Sequence, residues 1–141
     1  MWAYCDTSAL VRRYVNERGR AAFLRAIARR RIVSSVLLPL ELQSAIGRRV
    51  REGRMATVAQ PDLLERIDRD TDHWTLVELG PKVAGIVAEL LEDHPVRTLD
   101  AIHIASARVF STAIRDDVVF VTADARQART AARSGLTVVR V

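Results

Sequence analysis

Short apolar runs alternate along this chain with longer segments of helical pattern, and no other feature restricts the possible folds as strongly. The runs are rich in Val, Ile, Trp, Tyr or Phe and are too short to form helices, so we predict that they are strands. They cover residues 2–5, 31–34, 74–78, 118–121 and 137–141. Strands that alternate with helices form parallel sheets covered on both faces, so we expect an α/β fold.

Three of the intervening segments carry clear helical signals. In residues 80–93 the apolar side chains follow the i, i+3, i+4 rule, and Pro81 stands near the start. Residues 98–112 are apolar nearly all round, which predicts a deeply buried helix, and Thr98 is the expected N-cap. Residues 123–133 predict a polar helix that Gly135 ends.

Four acidic residues stand in largely apolar surroundings. Asp6 ends the run WAYC, Glu41 interrupts VLLPLELQSAI, Asp100 interrupts RTLDAIHIASA, and Asp124 follows VVFVT with one residue between. A buried carboxylate is costly unless something compensates its charge. We therefore expect these four acids to form one metal-binding pocket.

The direction of the strands supports this interpretation. Parallel strands point the same way, so Asp6 and Asp124 are expected at one edge of the sheet, where open α/β sheets bind ligands. Asp116 precedes its strand and falls at the opposite edge. Glu41 and Asp100 are placed in the first turns of helices near the Asp6 edge, so four oxygen donors can converge.

Each acid also has a structural explanation when it is taken alone. Asp6 and Asp124 can act as N-caps, while Asp100 and Glu41 can favour the dipoles of their helices. Only the coincidence of four acids at one edge favours the metal site. Oxygen ligands suit Mg²⁺ and Mn²⁺, and no set of Cys or His residues has zinc spacing.

Other polar residues near the acids leave alternatives open. His103 lies one turn after Asp100, where it either contacts substrate or a bound water or is a buried, hydrogen-bonded histidine. Several arginines follow Glu41 and either track a phosphate backbone or form a solvated helix face. These are Arg48, Arg49, Arg51 and Arg54.

Length and composition restrict the class of protein. The 141 residues predict one domain, residues 1–141. The net charge is +5, and of 22 basic residues only Lys82 is a lysine, which fits a nucleic-acid partner or an arginine-rich codon bias. No apolar run approaches the roughly 20 residues of a membrane span. The single Cys5 cannot form an internal disulfide and there is no signal-peptide pattern, so we expect a cytoplasmic protein.

Four segments resemble the PIN domain family in their order and spacing. They are CDTSALVRRYV, SSVLLPLELQSAI with its glutamate, RTLDAIHIASA and FVTADARQARTAARSGLTVV. Over essentially its whole length the chain is similar, more closely, to the VapC-type toxins of bacterial toxin–antitoxin pairs. The resemblance implies a Rossmann-like sheet of five parallel strands and a Mg²⁺- or Mn²⁺-dependent ribonuclease. It also implies a homodimer and an antitoxin partner encoded alongside.

The resemblance assigns roles to individual residues. The catalytic and metal-binding acids of the family correspond to Asp6, Glu41, Asp100 and Asp124. Its supporting hydroxyls correspond to Thr7 or Ser8 and to Thr122, and His103 is a further supporting candidate. The chain departs from the family at Leu38, where members often have Ser or Thr three residues before the glutamate. The stretch between Asp100 and Asp124 is also longer, and we expect STAIRDD to be the extra loop.

The function implied by the resemblance is hydrolysis of RNA phosphodiester bonds by a water that a carboxylate-bound metal ion activates. The alternatives are a PIN-like nuclease for DNA or another non-toxin substrate, and a non-catalytic interaction module. A phosphoacceptor signalling domain would need a lysine near the end of its last strand, and Lys82 is elsewhere. A nucleotide-binding protein is disfavoured, because neither a P-loop nor a GxGxxG pattern occurs.

For the homodimer, the apolar residues of the first two helices exceed what one buried face needs. Tyr14 and Phe23 are the largest of them. We therefore expect these side chains to form the surface between two copies.

Overall fold

A parallel sheet of five strands lies at the centre of the computed structural model, which describes residues 1–141. The order of the strands across the sheet is β3-β2-β1-β4-β5, and every neighbouring pair is parallel. This confirms the predicted fold class. The strands are β1 (Trp2–Cys5), β2 (Arg31–Ser35), β3 (Thr75–Val77), β4 (Val118–Thr122) and β5 (Thr137–Arg140).

Seven α-helices connect the strands and cover both faces of the sheet. Two short 3₁₀ turns, Val11–Arg13 and Thr57–Ala59, stand between them. No helix is both long enough and apolar enough to cross a membrane. The helices are α1 (Thr7–Leu10), α2 (Arg20–Ile27), α3 (Leu38–Arg51), α4 (Gln60–Thr71), α5 (Pro81–Asp93), α6 (Thr98–Ile114) and α7 (Ala125–Arg133).

Successive side chains of a strand point to opposite faces, so the sheet divides the interior into two cores. Ala3 and Cys5 of β1 belong to the core that α1, α2, α3 and α4 cover. Tyr4 of β1 and Phe120 of β4 belong to the core on the other face, which α5, α6 and α7 cover. The helix α6 is buried over most of its length, as its apolar composition predicted.

The strand order places a crevice beside β1. From β1 the chain builds outward through β2 and β3, and it then returns to add β4 and β5 on the other side. Ligands of open α/β sheets bind at such a reversal, outside the carboxyl ends of the strands. At the opposite edge, the Trp2 amide donates a hydrogen bond to the Asp117 carbonyl, so the aspartates before β4 lie away from this crevice.

Two details at the ends of α6 differ from the predictions. The Ala101 amide bonds to the Arg97 carbonyl, so Arg97 is the cap residue and Thr98 is already helical. The predicted Thr98 cap is therefore wrong. Residues 111–114 of the expected STAIRDD loop are helical as well, because Ile114 packs against the core and keeps the helix going. Arg115 then ends α6 in the left-handed conformation, with φ 51°.

The expected surface for the homodimer is also not available. Phe23 and Tyr14 are both buried within the core under the first face of the sheet. The bend after the Val11–Arg13 turn brings α2 back over this core, which buries Phe23 and Ala26 but leaves Leu24 exposed.

Candidate active site

One cavity of about 690 Å³ lies at the carboxyl edge of the sheet, and all four of the singled-out acids line it. Asp6 directly follows β1, and Asp124 follows β4 after one residue. Glu41 and Asp100 stand in the first turns of α3 and α6. Thr7, Ser8 and His103 also line the cavity. The structure thus brings the sequence-predicted acids to one place.

Asp6 is the most deeply placed of the acids, with 2% of its surface exposed. Its Oδ1 accepts a hydrogen bond from the Ala9 amide at 2.8 Å, which makes it the N-cap of α1. Its Oδ2 accepts a bond of 2.6 Å from the Thr122 hydroxyl, and the Ser8 hydroxyl bonds both oxygens. Burial raises the pKa of Asp6, and these hydrogen bonds only partly offset that effect.

The supporting hydroxyls join the ends of β1 and β4. The Ser8 hydroxyl accepts a bond of 2.9 Å from the Ala123 amide, and the Asp124 amide donates to the Thr122 hydroxyl at 3.0 Å. Of the predicted hydroxyls, Ser8 and Thr122 therefore contact the Asp6 carboxylate. Thr7 instead lies 3.5 Å from the His103 ring.

Glu41 is held by a buried pair of side chains from the other face of the sheet. His103 Nε2 lies 2.8 Å from Glu41 Oε2, and His103 Nδ1 lies 3.0 Å from the Tyr4 hydroxyl. Because a carboxylate can only accept, Nε2 carries the hydrogen, and a neutral ring then accepts from Tyr4 at Nδ1. Burial raises the pKa of Tyr4, so its hydroxyl keeps the proton that it donates. His103 is buried and hydrogen-bonded, and it also lines the cavity.

Arg97 lies between the two remaining acids. Its Nε donates to Asp100 Oδ2 at 2.9 Å, and its Nη2 donates to Asp124 Oδ2 at 3.4 Å. The Arg97 side chain is 78% exposed, whereas those of Asp100 and Asp124 are 20% and 29% exposed. Two carboxylates therefore share one cationic group at the mouth of the cavity.

Asp124 also has the structural role that the sequence left open. Its Oδ1 accepts hydrogen bonds from the amides of Arg126 and Gln127, so it is the N-cap of α7. Capping occupies Oδ1, while Oδ2 points to Arg97. In Asp6 and Asp124 alike, the capping role and a place on the cavity occur together.

The four acids share the cavity, but three different sets of groups bind them. Asp6 is bonded by hydroxyls, Glu41 by His103, and the Asp100 and Asp124 pair by Arg97. As the side chains stand, no group of three or more His, Cys, Asp or Glu residues is arranged to hold a metal ion. The chemistry of the donors nevertheless fits a hard cation, because every one of them is a carboxylate oxygen.

Arginines form the wall of the cavity beside α1 and α3. Arg12, Arg48 and Arg49 line it together with Glu17. Arg49 makes a bidentate ion pair with Glu17, with bonds of 2.6 and 2.9 Å, and this pairing lowers the pKa of Glu17. The cavity is therefore acidic at the strand ends and basic along one side. Two of the four arginines singled out after Glu41 belong to this wall.

Sequence reasoning missed three participants. Tyr4 was counted only as part of an apolar strand, although a buried tyrosine hydroxyl requires a partner. Arg97 stands three residues before Asp100, a spacing that brings side chains together on a helix. Gln127 is buried with its Oε1 atom 3.1 Å from the Thr122 hydroxyl oxygen, but nothing in its sequence surroundings marks it.

Comparison with known proteins agrees with the architecture. The family model of the PIN domain matches residues 3–133. No significant match was found among curated proteins. A chain of a toxin–antitoxin complex from Klebsiella pneumoniae is similar, with a TM-score of 0.62, 15% identity, and coverage of 89% of this chain and 88% of that chain. A chain of VapBC2 from Rickettsia felis, in a crystal structure with a DNA fragment from the VapBC2 promoter, is also similar. Its TM-score is 0.62 and its identity is 14%, with coverage of 99% of this chain and 98% of that chain. At such identities, the two structures show a shared fold.

Proposed function

Because the chain belongs to the PIN domain family, we propose that it is a metal-dependent endoribonuclease and the toxin of a toxin–antitoxin pair. PIN domains are nucleases. The observation that carries the proposal is the placement of four carboxylates on one cavity, at the edge where such sheets bind ligands. The structural neighbours that belong to toxin–antitoxin complexes support the toxin class.

Asp6, Asp100, Asp124 and Glu41 would hold Mg²⁺ or Mn²⁺, which when bound lowers the pKa of a water and offsets negative charge on the phosphate. The pair of Asp100 and Asp124 already accommodates one cationic group, that of Arg97. The burial of Asp6, which no cation contacts in this structure, also favours a bound cation. These features support the predicted cofactor.

The residues of the chain have distinct tasks in this proposal. The hydroxyls of Ser8 and Thr122 fix the orientation of Asp6. His103 fixes Oε2 of Glu41 and leaves Oε1 without a protein hydrogen bond, so Oε1 can accept a proton from the attacking water. The basic wall of the cavity would attract the phosphate backbone of the RNA.

Cleavage of matched RNA and DNA oligonucleotides tests the proposal. With Mg²⁺ or Mn²⁺ the purified protein should cut RNA, and cutting should stop in EDTA. Glu41→Gln should fold normally and cut poorly, because the amide cannot take up a proton. Cutting that persists in EDTA would overturn the mechanism. Cutting of DNA alone would identify a DNA-directed nuclease. If neither RNA nor DNA were cut, the non-catalytic interaction module would be the remaining alternative.

We also propose two protein partners. An antitoxin would cover the cavity, and co-expression with the product of the adjacent gene should yield a stable complex that cuts RNA more slowly. A second copy of the chain would form a homodimer through a surface other than the buried Tyr14 and Phe23. Light scattering at micromolar concentration should give twice the mass of one chain, and a monomer would contradict this proposal.

A further inference from the structure

Arg12 belongs to the basic wall of the cavity, and the proposed function assigns it no individual contact. It lies in the 3₁₀ turn that follows α1, and its side chain lines the same cavity as the four acids. Its guanidinium makes no ion pair and no hydrogen bond within the chain, although the side chain is half-buried. Hydrogen bonds from Arg49 lower the pKa of the nearby Glu17 and the charge of Arg12 helps to lower it, but that carboxylate forms its ion pair with Arg49 and not with Arg12.

The position of this guanidinium depends on a glycine. Gly19 has φ +91°, in the left-handed region, and stands at the start of α2. A Cβ atom at this position would overlap the Arg12 Nη1 atom and would lie 2.6 Å from Cζ. The backbone conformation therefore favours glycine, and a methyl group at this position would push the guanidinium of Arg12 aside.

We propose that Arg12 binds a phosphate of the RNA strand, and that Gly19 holds open the space that aims it at the cavity. The proposal rests on the proposed function and names one contact of the substrate. A half-buried guanidinium without a partner is costly, and an anion that enters the cavity relieves the cost. The planar fork of an arginine binds phosphate oxygens in pairs. A phosphodiester is the anion that a nuclease brings to this place.

Binding of a fluorescently labelled single-stranded RNA in EDTA tests the contact without cleavage. Arg12→Gln should weaken binding about tenfold, because a charge-assisted hydrogen bond is lost. It should also lower the slope of log affinity against log salt by about 0.7, the value for one neutralised phosphate of a single strand. Arg12→Lys should keep the slope and lose part of the affinity. Arg25→Gln removes an exposed charge from α2 and should keep the affinity close to that of the wild-type protein.

A matched pair of glycine variants tests the role of Gly19. Gly19→Ala should weaken RNA binding as Arg12→Gln does, because the new methyl group displaces the guanidinium. Gly135→Ala introduces alanine at φ +85°, with no atom within 4 Å of the new methyl group, so it carries the backbone strain alone. It should bind RNA normally. Circular dichroism shows whether Gly19→Ala folds. If it does not fold, the Arg12 variants alone test whether Arg12 contacts the RNA.

The outcomes separate this contact from the proposed function. If Arg12→Gln bound RNA with wild-type affinity and salt slope, the proposed contact would be wrong. Metal-dependent cleavage by the wild-type protein would still support the proposed function. Normal RNA binding by a folded Gly19→Ala would overturn the part assigned to the glycine. A wild-type protein that neither binds nor cuts RNA would overturn the proposed function and this contact together.

Discussion

His103 on α6 and Glu41 on α3 are joined across the cavity by a hydrogen bond of 2.8 Å. The ring is almost fully buried and is fixed on its other side by Tyr4 in the central strand β1. Two successive hydrogen bonds, through His103 and Tyr4, therefore fix the orientation of the Glu41 carboxylate relative to the sheet. Partners of this kind affect metal affinity and activity although they do not touch the metal.

Removal of the ring should weaken both metal binding and cleavage. His103→Leu deletes the bond to Glu41, and we expect RNA cleavage and Mn²⁺ affinity to fall about 10- to 100-fold. His103→Gln can still donate to the carboxylate and should recover part of the loss. His73→Leu, at an exposed position, is the matched control. Wild-type cleavage and Mn²⁺ titration by His103→Leu would show that Glu41 needs no such support.

Asp6→Asn should stabilise the metal-free protein and abolish cleavage. The amide removes the cost of a buried charge, and its oxygen still accepts from the Ala9 amide, so we expect a gain on the order of 1–3 kcal/mol in the free energy of unfolding. The rise in melting temperature that Mn²⁺ gives the wild-type protein should shrink in the variant. A variant less stable than the wild-type protein in EDTA would contradict this prediction.

The effect of Asp6 on stability should also depend on pH. Because its folded pKa is raised, the protonated carboxyl contributes stability that is fully present below the unfolded pKa, near 3.8. This contribution is lost as the pH rises through the folded pKa. The difference in melting temperature between Asp6→Asn and the wild-type protein should therefore grow as the pH rises above about 4, until the folded pKa has been passed. Asp68→Asn, at an exposed position, should show no such growth.

Arg97→Gln should strengthen metal binding. The variant releases Asp100 and Asp124 from an ion pair that an incoming cation has to break. Exposed pairs contribute ~0.2–1 kcal/mol, so we expect Mn²⁺ to bind about two- to fivefold more tightly in calorimetry. Arg126→Gln removes an exposed arginine that has no ion pair, and it controls for the loss of one positive charge. Equal tightening in both variants would assign the effect to net charge.

Two substitutions at Asp124 should separate its roles. Asp124→Asn keeps an oxygen for the amides at the start of α7, so stability should change little, whereas Asp124→Ala should cost about 1 kcal/mol. Both should reduce cleavage, because both remove the carboxylate. Thermal melts and the RNA assay measure the two effects independently. Normal cleavage by either variant would return Asp124 to a purely capping role.

Most of the secondary structure could be predicted from local patterns in the sequence. All five strands and the helices that were predicted over α5, α6 and α7 occur with small shifts at their ends, because apolar periodicity decides them. The edge shared by Asp6 and Asp124 follows from strand direction alone. The order of the strands does not, because the pairing of β1 with β4 joins residues more than a hundred positions apart.

The partners of the acids could not be predicted, because each depends on such distant contacts. His103 reaches Glu41 and Tyr4 only after α6 has packed against β2 and β4. The hydroxyl of Thr122 meets Asp6 across the β1–β4 pair. Nothing in the sequence showed that a single chain buries both Tyr14 and Phe23, so they were predicted to lie between two copies. Sequence patterns show which residues are polar in apolar surroundings, whereas packing decides which of them meet.

The central place of β1 has a consequence for biosynthesis. Asp6 and Glu41 are made before Asp100, Asp124 and the strand β4 that flanks β1. A nascent chain that ends before β4 therefore exposes one side of β1 and holds only some of the acids. The proposed nuclease site is therefore complete only after synthesis has passed Asp124, and shorter nascent chains should not cut RNA.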